Sequence, residues 1–185
     1  MHIRLRSLSV VLLASSLLVV GSCRNKVKKE LFEAFITERF TVEFELPIIP
    51  VALTLDSVAA SGQPINVDSV IRDRTDGAFG IEDVNAVYVE ELRLVLDDAD
   101  SSSNIANFEK MRLSLASGDG KTVVEVCNAT IPDEYASERT LPIFDDRDLK
   151  PVASGNSMTF LVGIAFRRPT QKILHGRIQF RFDVK

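Results

Sequence analysis

The chain has 185 residues, of which 26 are acidic and 22 are basic, and its formal net charge at pH 7 is -4. This mild acidity excludes the basic footprint that a nucleic-acid-binding domain normally shows. At this length we expect one domain with a hydrophobic core that does not depend on disulfides.

The first 22 residues have the three-part pattern of a secretory signal peptide. His2, Arg4 and Arg6 form a basic start, residues 8–20 are uncharged and mainly apolar, and two small residues follow. The apolar run is shorter than the stretch of about 20 residues that a transmembrane helix needs. The pattern therefore indicates export and removal of residues 1–22, and not a membrane span.

The end of this segment, Val20-Gly21-Ser22-Cys23, resembles the lipobox of bacterial lipoproteins. In that family the cysteine thiol receives a diacylglyceryl group, the peptide is cut before the cysteine, and the new amino terminus is acylated. The resemblance implies that Cys23 is the lipidated first residue of a mature envelope protein. Two or three acyl chains hold a protein at a membrane, whereas one chain binds reversibly. The alternative is a soluble secreted protein in which the cysteine follows the apolar run by coincidence.

We expect residues 23–38 to form a tether between the lipid and the domain. Its basic residues are Arg24, Lys26, Lys28 and Lys29. Each can add about 1 kcal/mol of attraction to a nearby anionic membrane surface, and a solvated linker explains them equally well. Because residue 24 is not aspartate, the sorting pattern of enterobacterial lipoproteins implies the outer membrane, on either its periplasmic or its outer side.

From residue 39 onward, apolar residues alternate with polar ones, which is typical of strands with one buried face. We expect strands at 40–46, 51–55, 87–96, 111–115, 122–130, 140–144, 158–166 and 178–184. A change of phase at Glu90 and Glu91 predicts a β-bulge, and the run Ser117 to Gly120 predicts a hairpin turn. Short helices are expected within 64–77, capped by Asn66, and within 146–153.

These elements predict a mainly β fold, with residues 39–185 forming a single two-sheet β-sandwich of immunoglobulin-like or related topology and one or two short helices. The cysteine pair and core tryptophan of immunoglobulin domains are missing. The run from Asn66 through Leu96 and Asn107-Phe108 to the paired final strands is similar to small envelope lipoproteins of Bacteroidetes-type bacteria. It is more distantly similar to sandwich domains of the late-embryogenesis-abundant type. Both resemblances imply a β-sandwich and no particular chemistry.

The residues of the mature chain do not indicate catalysis. His175 is its single histidine, and no serine occupies a nucleophile-elbow pattern, so a Ser-His-Asp triad is not indicated. We interpret His175 as a surface or turn residue, and Cys127 as a packed core residue with no candidate base nearby in the sequence. One histidine and one free cysteine are also too few ligands for zinc.

One loop has the spacing of a calcium site, with oxygen-bearing side chains at positions one, three, five, seven and twelve. These residues are Asp98, Asp100, Ser102, Asn104 and Glu109. Ser103 stands where the sharp turn needs glycine, and a strand precedes the loop where a helix is usual. An acidic, serine-rich connection without metal is therefore the favoured interpretation, and calcium is the single cofactor that the sequence suggests.

The sequence thus predicts a membrane-anchored envelope lipoprotein with a non-catalytic binding or structural domain. Its partner would be a protein, a glycan or a lipid, and not a nucleic acid. Two alternatives stay open. The sheets can enclose a hydrophobic ligand, with residues 158–166 as part of the lining. Carboxylates from 97–100 or 145–148 can serve an envelope hydrolase, because glycosidase chemistry needs two acids at a fixed separation.

Overall fold

The structure, a computed structural model, describes residues 39–50, 54–59, 65–155 and 157–185, with strand 54–59 described by its backbone alone. The predictions for the signal peptide, for Cys23 and for the tether lie outside the described residues. So does most of the strand expected at 51–55.

Within these ranges the chain forms eight strands and two α-helices, joined by two 3₁₀ helices at Ile81–Asp83 and Ile105–Asn107. The strands are β1 (Phe40–Leu46), β2 (Thr54–Ala59), β3 (Val87–Leu96), β4 (Phe108–Ser117), β5 (Val123–Thr130), β6 (Glu138–Thr140), β7 (Met158–Phe166) and β8 (Leu174–Val184). The α-helices are α1 (Val67–Arg74) and α2 (Lys150–Ala153). Over the described part of the chain, neither helix has the length and apolar character needed to cross a bilayer.

The strands form two antiparallel four-stranded sheets. Sheet A has the order β1-β8-β3-β6, and sheet B has the order β2-β7-β4-β5. The first strand therefore pairs with the last, the second with the seventh, and the fourth with the fifth, which is the double Greek-key connectivity of a jelly roll. An immunoglobulin sheet keeps its first two strands side by side, whereas β1 and β2 lie in opposite sheets. The predicted two-sheet sandwich is confirmed, and its topology is a related one and not the immunoglobulin one.

The core lies between the sheets because alternate residues of each strand face inward. In β8 every second residue from Leu174 to Val184 is buried, and β7 shows the same alternation. The ring of Phe180 in sheet A lies 4.7 Å from the ring of Phe160 in sheet B and 5.0 Å from that of Phe182. Aromatic residues bury about 150–250 Å² each, so these rings fill the space between the sheets at this level.

Three local predictions are confirmed. The register of β3 against β8 shifts between Val89 and Glu91, which is the bulge expected from the change of phase. The β4–β5 hairpin turns at Gly120, whose φ of 69° is a conformation that glycine adopts at no steric cost. Asn66 caps α1 as predicted, because its side chain accepts a hydrogen bond from Ser69 N at 2.9 Å.

The strand predicted at 140–144 is wrong in its position. The chain pairs with β3 at Glu138–Thr140 and then crosses between the sheets. Leu141 N donates to Leu92 O of sheet A, and Phe144 N donates to Val126 O of sheet B. Residues 141–144 therefore bridge the two layers, and the alternation of their side chains does not reflect a single sheet.

Because the strands alternate in direction, the connections gather at the two ends of the sandwich. One end, which we name the near end, holds the hairpin turn 118–122 and Lys185, whose carbonyl oxygen accepts hydrogen bonds from Asn85 N and Ala86 N. The chain enters β1 from this side and runs toward the opposite end. That opposite end, the far end, holds the β1–β2, β3–β4, β5–β6 and β7–β8 connections.

Candidate functional site

The far end of the sandwich carries an unusual concentration of exposed apolar side chains. We name its four connections the loop platform; they comprise residues 47–50, 97–107, 131–137 and 167–173. Ile48, Tyr135 and Ile173 are 53 %, 63 % and 42 % exposed, and all three belong to the loop platform. Among the described residues the other exposed large apolar side chain is that of Val123, at the near end.

Ile48 and Ile173 lie on the two loops that leave the paired ends of β1 and β8. Leu46 and Leu174 are direct partners at the ends of β1 and β8, and both isoleucines emerge just beyond them. Ile49 N donates to Thr170 Oγ1 at 2.9 Å, and Thr170 N donates back to Ile49 O at 2.9 Å. These reciprocal bonds tie the first and the last loop of the platform together.

Tyr135 lies on the β5–β6 loop, at the same end of the sandwich as the two isoleucines. The pKa of Lys172 is raised, chiefly by its hydrogen bond to Asp100 and in smaller part by the charges of Asp98 and Tyr135. Ala136, which follows Tyr135, accepts a hydrogen bond from Ile105 N at 3.1 Å, so the β5–β6 loop lies against the β3–β4 loop that carries Asp100. The three exposed apolar side chains thus lie on three loops at one end of the sandwich, and Lys172 precedes one of them.

Buried polar side chains hold the loops in place. Ser103, Asn104, Asn107 and Thr170 are all buried, and they account for four of the six buried polar residues in the described part of the chain. Asn107 Nδ2 donates to Ser102 O at 3.0 Å and to Pro169 O at 2.8 Å, and Asn107 Oδ1 accepts from Asn104 N at 3.1 Å. The β3–β4 and β7–β8 loops are therefore one hydrogen-bonded unit.

The β5–β6 loop is fixed to the same unit by Arg167. Its guanidinium donates to Ala106 O at 3.1 Å and to Ile131 O at 2.7 Å, while Ile105 N donates to Ala136 O at 3.1 Å. A surface that is already ordered loses less conformational entropy when it binds. The loop platform is thus a preorganised surface.

The predicted calcium ligands lie in the loop platform, but most of their oxygens are engaged by the protein. Asp100 Oδ1 accepts from Ser102 N and Ser102 Oγ, both at 2.8 Å, and from Ser103 N at 2.9 Å. Its other oxygen, Oδ2, lies 2.8 Å from Lys172 Nζ. Lys172 first, and then these serine contacts, hold the pKa of Asp100 well below its usual range.

The other members of the predicted calcium set have separate roles. Asn104 Oδ1 accepts from Ala106 N at 2.9 Å and caps a 3₁₀ helix, and Glu109 is exposed on β4. No group of three or more His, Cys, Asp or Glu side chains in the described ranges is placed to hold a metal ion. The calcium loop stays a prediction, in which calcium would compete with Lys172 for Asp100.

His175 stands between two carboxylates next to the platform. Its Nδ1 lies 3.3 Å from Asp98 Oδ2, and its Nε2 lies 3.7 Å from Glu45 Oε2. Because the two carboxylates flank opposite ring nitrogens, one cation cannot contact all three side chains together. The His175 side chain is 60 % exposed, which confirms its interpretation as a surface residue.

The two acidic clusters considered for hydrolysis lie at opposite ends of the sandwich. Asp97 follows β3 and pairs with Arg177, whereas Asp148 accepts a hydrogen bond from Val87 N at the start of β3. A ten-residue strand spans roughly 30 Å, far more than the roughly 5–9.5 Å between glycosidase carboxylates. The two clusters cannot act as one catalytic pair.

Cys127 is fully buried in the core, as predicted. Burial, and next the charge of Glu125, raise the pKa of its thiol to about 11. The neutral thiol is therefore the form present near neutral pH, and it is a poor nucleophile.

The sequence pattern singled out the acidic loop of the platform, through Asp98, Asp100, Ser102 and Asn104, but not the residues that join the loops together. Asn107 and Thr170 read as ordinary polar loop residues, and Ile48, Tyr135 and Ile173 read as isolated apolar ones. The spacing of Asn104 and Asn107, which form a reciprocal cap around the 3₁₀ helix, is a local signal from which an ordered loop could have been predicted.

No protein-family model matches the chain, and no curated protein matches it. Its function is therefore inferred from the fold and the loop platform.

Proposed function

We propose that this protein is a lipid-anchored envelope lipoprotein whose β-sandwich is a non-catalytic binding domain, with the loop platform as the surface that contacts the partner. The observation that carries this proposal is the coincidence of exposed apolar side chains and buried polar supports at one end of the sandwich. Exposed apolar patches on ordered surfaces commonly mark interaction sites.

The direction of β1 supports an outward-facing platform. The chain reaches Phe40 from the near side and runs seven residues to the far end, a distance of roughly 20 Å. A lipid on Cys23, together with the cationic tether, would hold the preceding chain at the membrane. The platform would then project away from the bilayer, which in this proposal is the outer membrane.

Two observations favour a binding surface over a hydrophobic carrier. The rings of Phe160, Phe180 and Phe182 occupy the space between the sheets. A shallow depression on sheet A, lined in part by Arg39 and Glu91, has an interior volume of about 0 Å³, whereas typical ligand pockets hold roughly 300–1,000 Å³.

The contacts inside each acidic cluster favour the same conclusion over a hydrolase that uses either cluster. In each cluster a carboxylate is held by a neighbour: Asp97 by Arg177, Asp100 by Lys172, and Asp148 by the backbone amides of Val87 and Lys150. In none of these three contacts does a carboxylic acid lie opposite a second free carboxylate. Glycoside hydrolysis needs that arrangement.

Lipid attachment is tested by mass spectrometry of the mature amino terminus and by membrane fractionation. The expected result is an acylated, diacylglyceryl-modified Cys23 in the membrane fraction, with Cys23→Ser released into the soluble fraction. An unmodified Cys23, or cleavage at another bond, would contradict the anchored half of the proposal.

The binding surface is tested by photo-crosslinking in the native cell. A benzophenone amino acid replaces Tyr135 in one variant and Val123 in the other, because these side chains have similar exposure and lie at opposite ends. Discrete adducts are expected from position 135 and not from position 123. The reverse pattern, or equal smears from both positions, would mean that the platform is not the binding surface.

A further inference from the structure

We infer that the partner of the loop platform is a protein surface with an apolar side chain at its centre and lysine or arginine side chains around it. This inference rests on the proposed binding function and names the chemistry of the partner. It is argued from the charge of the platform and from the kind of apolar side chains that it exposes.

The loop platform carries an excess of negative charge. Its acidic residues are Asp97, Asp98, Asp100, Asp133 and Glu134, and its basic residues are Arg167, Arg168 and Lys172. Five acids against three bases leave a net charge of -2, while the adjoining Glu45 and Arg177, the latter paired with Asp97, offset each other. Interfaces match opposite charges, which guides encounter and rejects partners of like charge.

The basic side chains of the platform form ion pairs or hydrogen bonds with other residues of the platform. Lys172 contacts Asp100, Arg168 contacts Asp133, and Arg167 donates to backbone carbonyls. Glu134, beside Tyr135, is exposed, and its carboxylate has no ion pair among the described residues. These ion pairs neutralise the paired carboxylates too, so the charge that a partner meets next to Tyr135 is the negative charge of Glu134.

The apolar side chains favour a protein over a glycan. Sugars are bound largely by stacking on flat aromatic faces, and Tyr135 is the one aromatic side chain among the three exposed on the platform. Ile48 and Ile173 are branched aliphatic groups, which pack against apolar side chains of a protein. A tyrosine that becomes buried among apolar contacts when the complex forms is also a common energetic centre of protein interfaces.

The same charge argues against two other occupants. A second copy of this chain would bring an identical acidic platform, and like charges placed opposite each other disfavour association. An anionic membrane surface would be repelled for the same reason. The chain's own tether is cationic, so the experiment must distinguish binding of the tether from binding of a separate partner.

The experiment uses the mature chain carrying Cys23→Ser and three synthetic peptides of equal length. One alternates leucine with lysine, one alternates leucine with glutamate, and one alternates serine with lysine. Affinities are measured by fluorescence anisotropy at physiological salt, and the site is mapped by amide NMR shifts. We expect the leucine-lysine peptide to bind about tenfold more tightly than either control, with shifts confined to the loop platform.

Matched variants test the apolar contribution and the electrostatic contribution to peptide binding separately. Tyr135→Ser should weaken binding of the leucine-lysine peptide about tenfold, and Val123→Ser should leave it unchanged. Glu134→Lys should weaken it several-fold, while Asp146→Lys, an exposed site outside the platform, should not. Circular dichroism of each variant verifies that the fold is retained.

The inference is overturned if the leucine-glutamate peptide binds equally well, if Tyr135→Ser has no effect, or if the shifts lie at the near end. It is also overturned if replacing the tether cations with glutamine shifts the platform amides, since the tether would then be the occupant. If crosslinks form from position 135 but the leucine-lysine peptide does not bind, the proposed class of partner is refuted and the binding function is not. If no crosslinks form from position 135, the binding function itself is refuted.

Discussion

Replacing Asn107 with alanine tests whether buried amide contacts hold the loop platform together. The Asn107 side chain makes three hydrogen bonds, donating to Ser102 O and Pro169 O and accepting from Asn104 N, and it is 3 % exposed. The substitution removes all three bonds and leaves two carbonyl oxygens and one amide of other residues without this partner.

The expected loss of stability follows from the number of bonds. A buried hydrogen bond contributes a net of about 0.5–1.5 kcal/mol, so three give about 1.5–4.5 kcal/mol. We therefore expect Asn107→Ala to lower the free energy of unfolding by about 3 kcal/mol. For a chain of this size that corresponds to a fall in melting temperature of about 6–12 °C.

The assay combines urea denaturation with hydrogen exchange. Amides in 97–107 and 167–173 should exchange faster in Asn107→Ala, because both loops lose their common support. Asn128→Ala, at an exposed position of β5, is the control and should change stability by less than about 0.5 kcal/mol. A loss below about 1 kcal/mol for Asn107→Ala, or unchanged exchange in these loops, would refute the reasoning.

Four further predictions concern other parts of the molecule. In Gly176→Ala the added Cβ would lie 2.5 Å from Phe44 Cζ in the core, so urea denaturation should show a loss of about 1–3 kcal/mol; an unchanged midpoint would mean that the ring yields freely. Because Lys172 and the serine contacts lower the pKa of Asp100, its stabilising contribution is present above about pH 4 and is lost as the pH falls toward its folded-state pKa. Asp100→Asn should therefore flatten the stability curve below about pH 4, and a curve parallel to that of the parent chain would contradict the contacts. In the Cys23→Ser chain, Cys127 should resist iodoacetamide at about pH 8 until the protein unfolds, since burial raises its pKa to about 11; rapid labelling of the native state would show an exposed thiol. Millimolar calcium should leave the melting temperature unchanged, because Lys172 already engages Asp100; a rise that Asp98→Ala abolishes would instead establish the calcium loop.

Side-chain alternation predicted the strands but not their order. In β7 and β8 every second residue is buried, so the period alone located these strands. The pairing of Phe40 with Phe180 joins residues 140 positions apart, and no local pattern specifies such a partner. The jelly-roll connectivity therefore required the three-dimensional structure.

The loop platform was harder to predict because burial of a polar side chain is a tertiary property. Thr170 is buried since it meets Ile49 from a distant loop, and nothing in its sequence neighbourhood indicates that contact. The acidic loop was located correctly, but the sequence could not show that Lys172 would occupy Asp100. Spacing identifies which oxygens share a loop, and the structure decides which cation they meet.

The central position of β8 in sheet A has a consequence for biogenesis. β8 lies between β1 and β3, so until residues 174–184 have been synthesised, β1 has no neighbouring strand in the described sheet and β3 has only the three-residue β6. A nascent polypeptide on the ribosome therefore cannot complete the strand pairing of sheet A before β8 has been synthesised. Such delayed closure leaves sheet A incomplete until residues 174–184 are available, which would suit the proposed export of the chain through a secretion channel before folding.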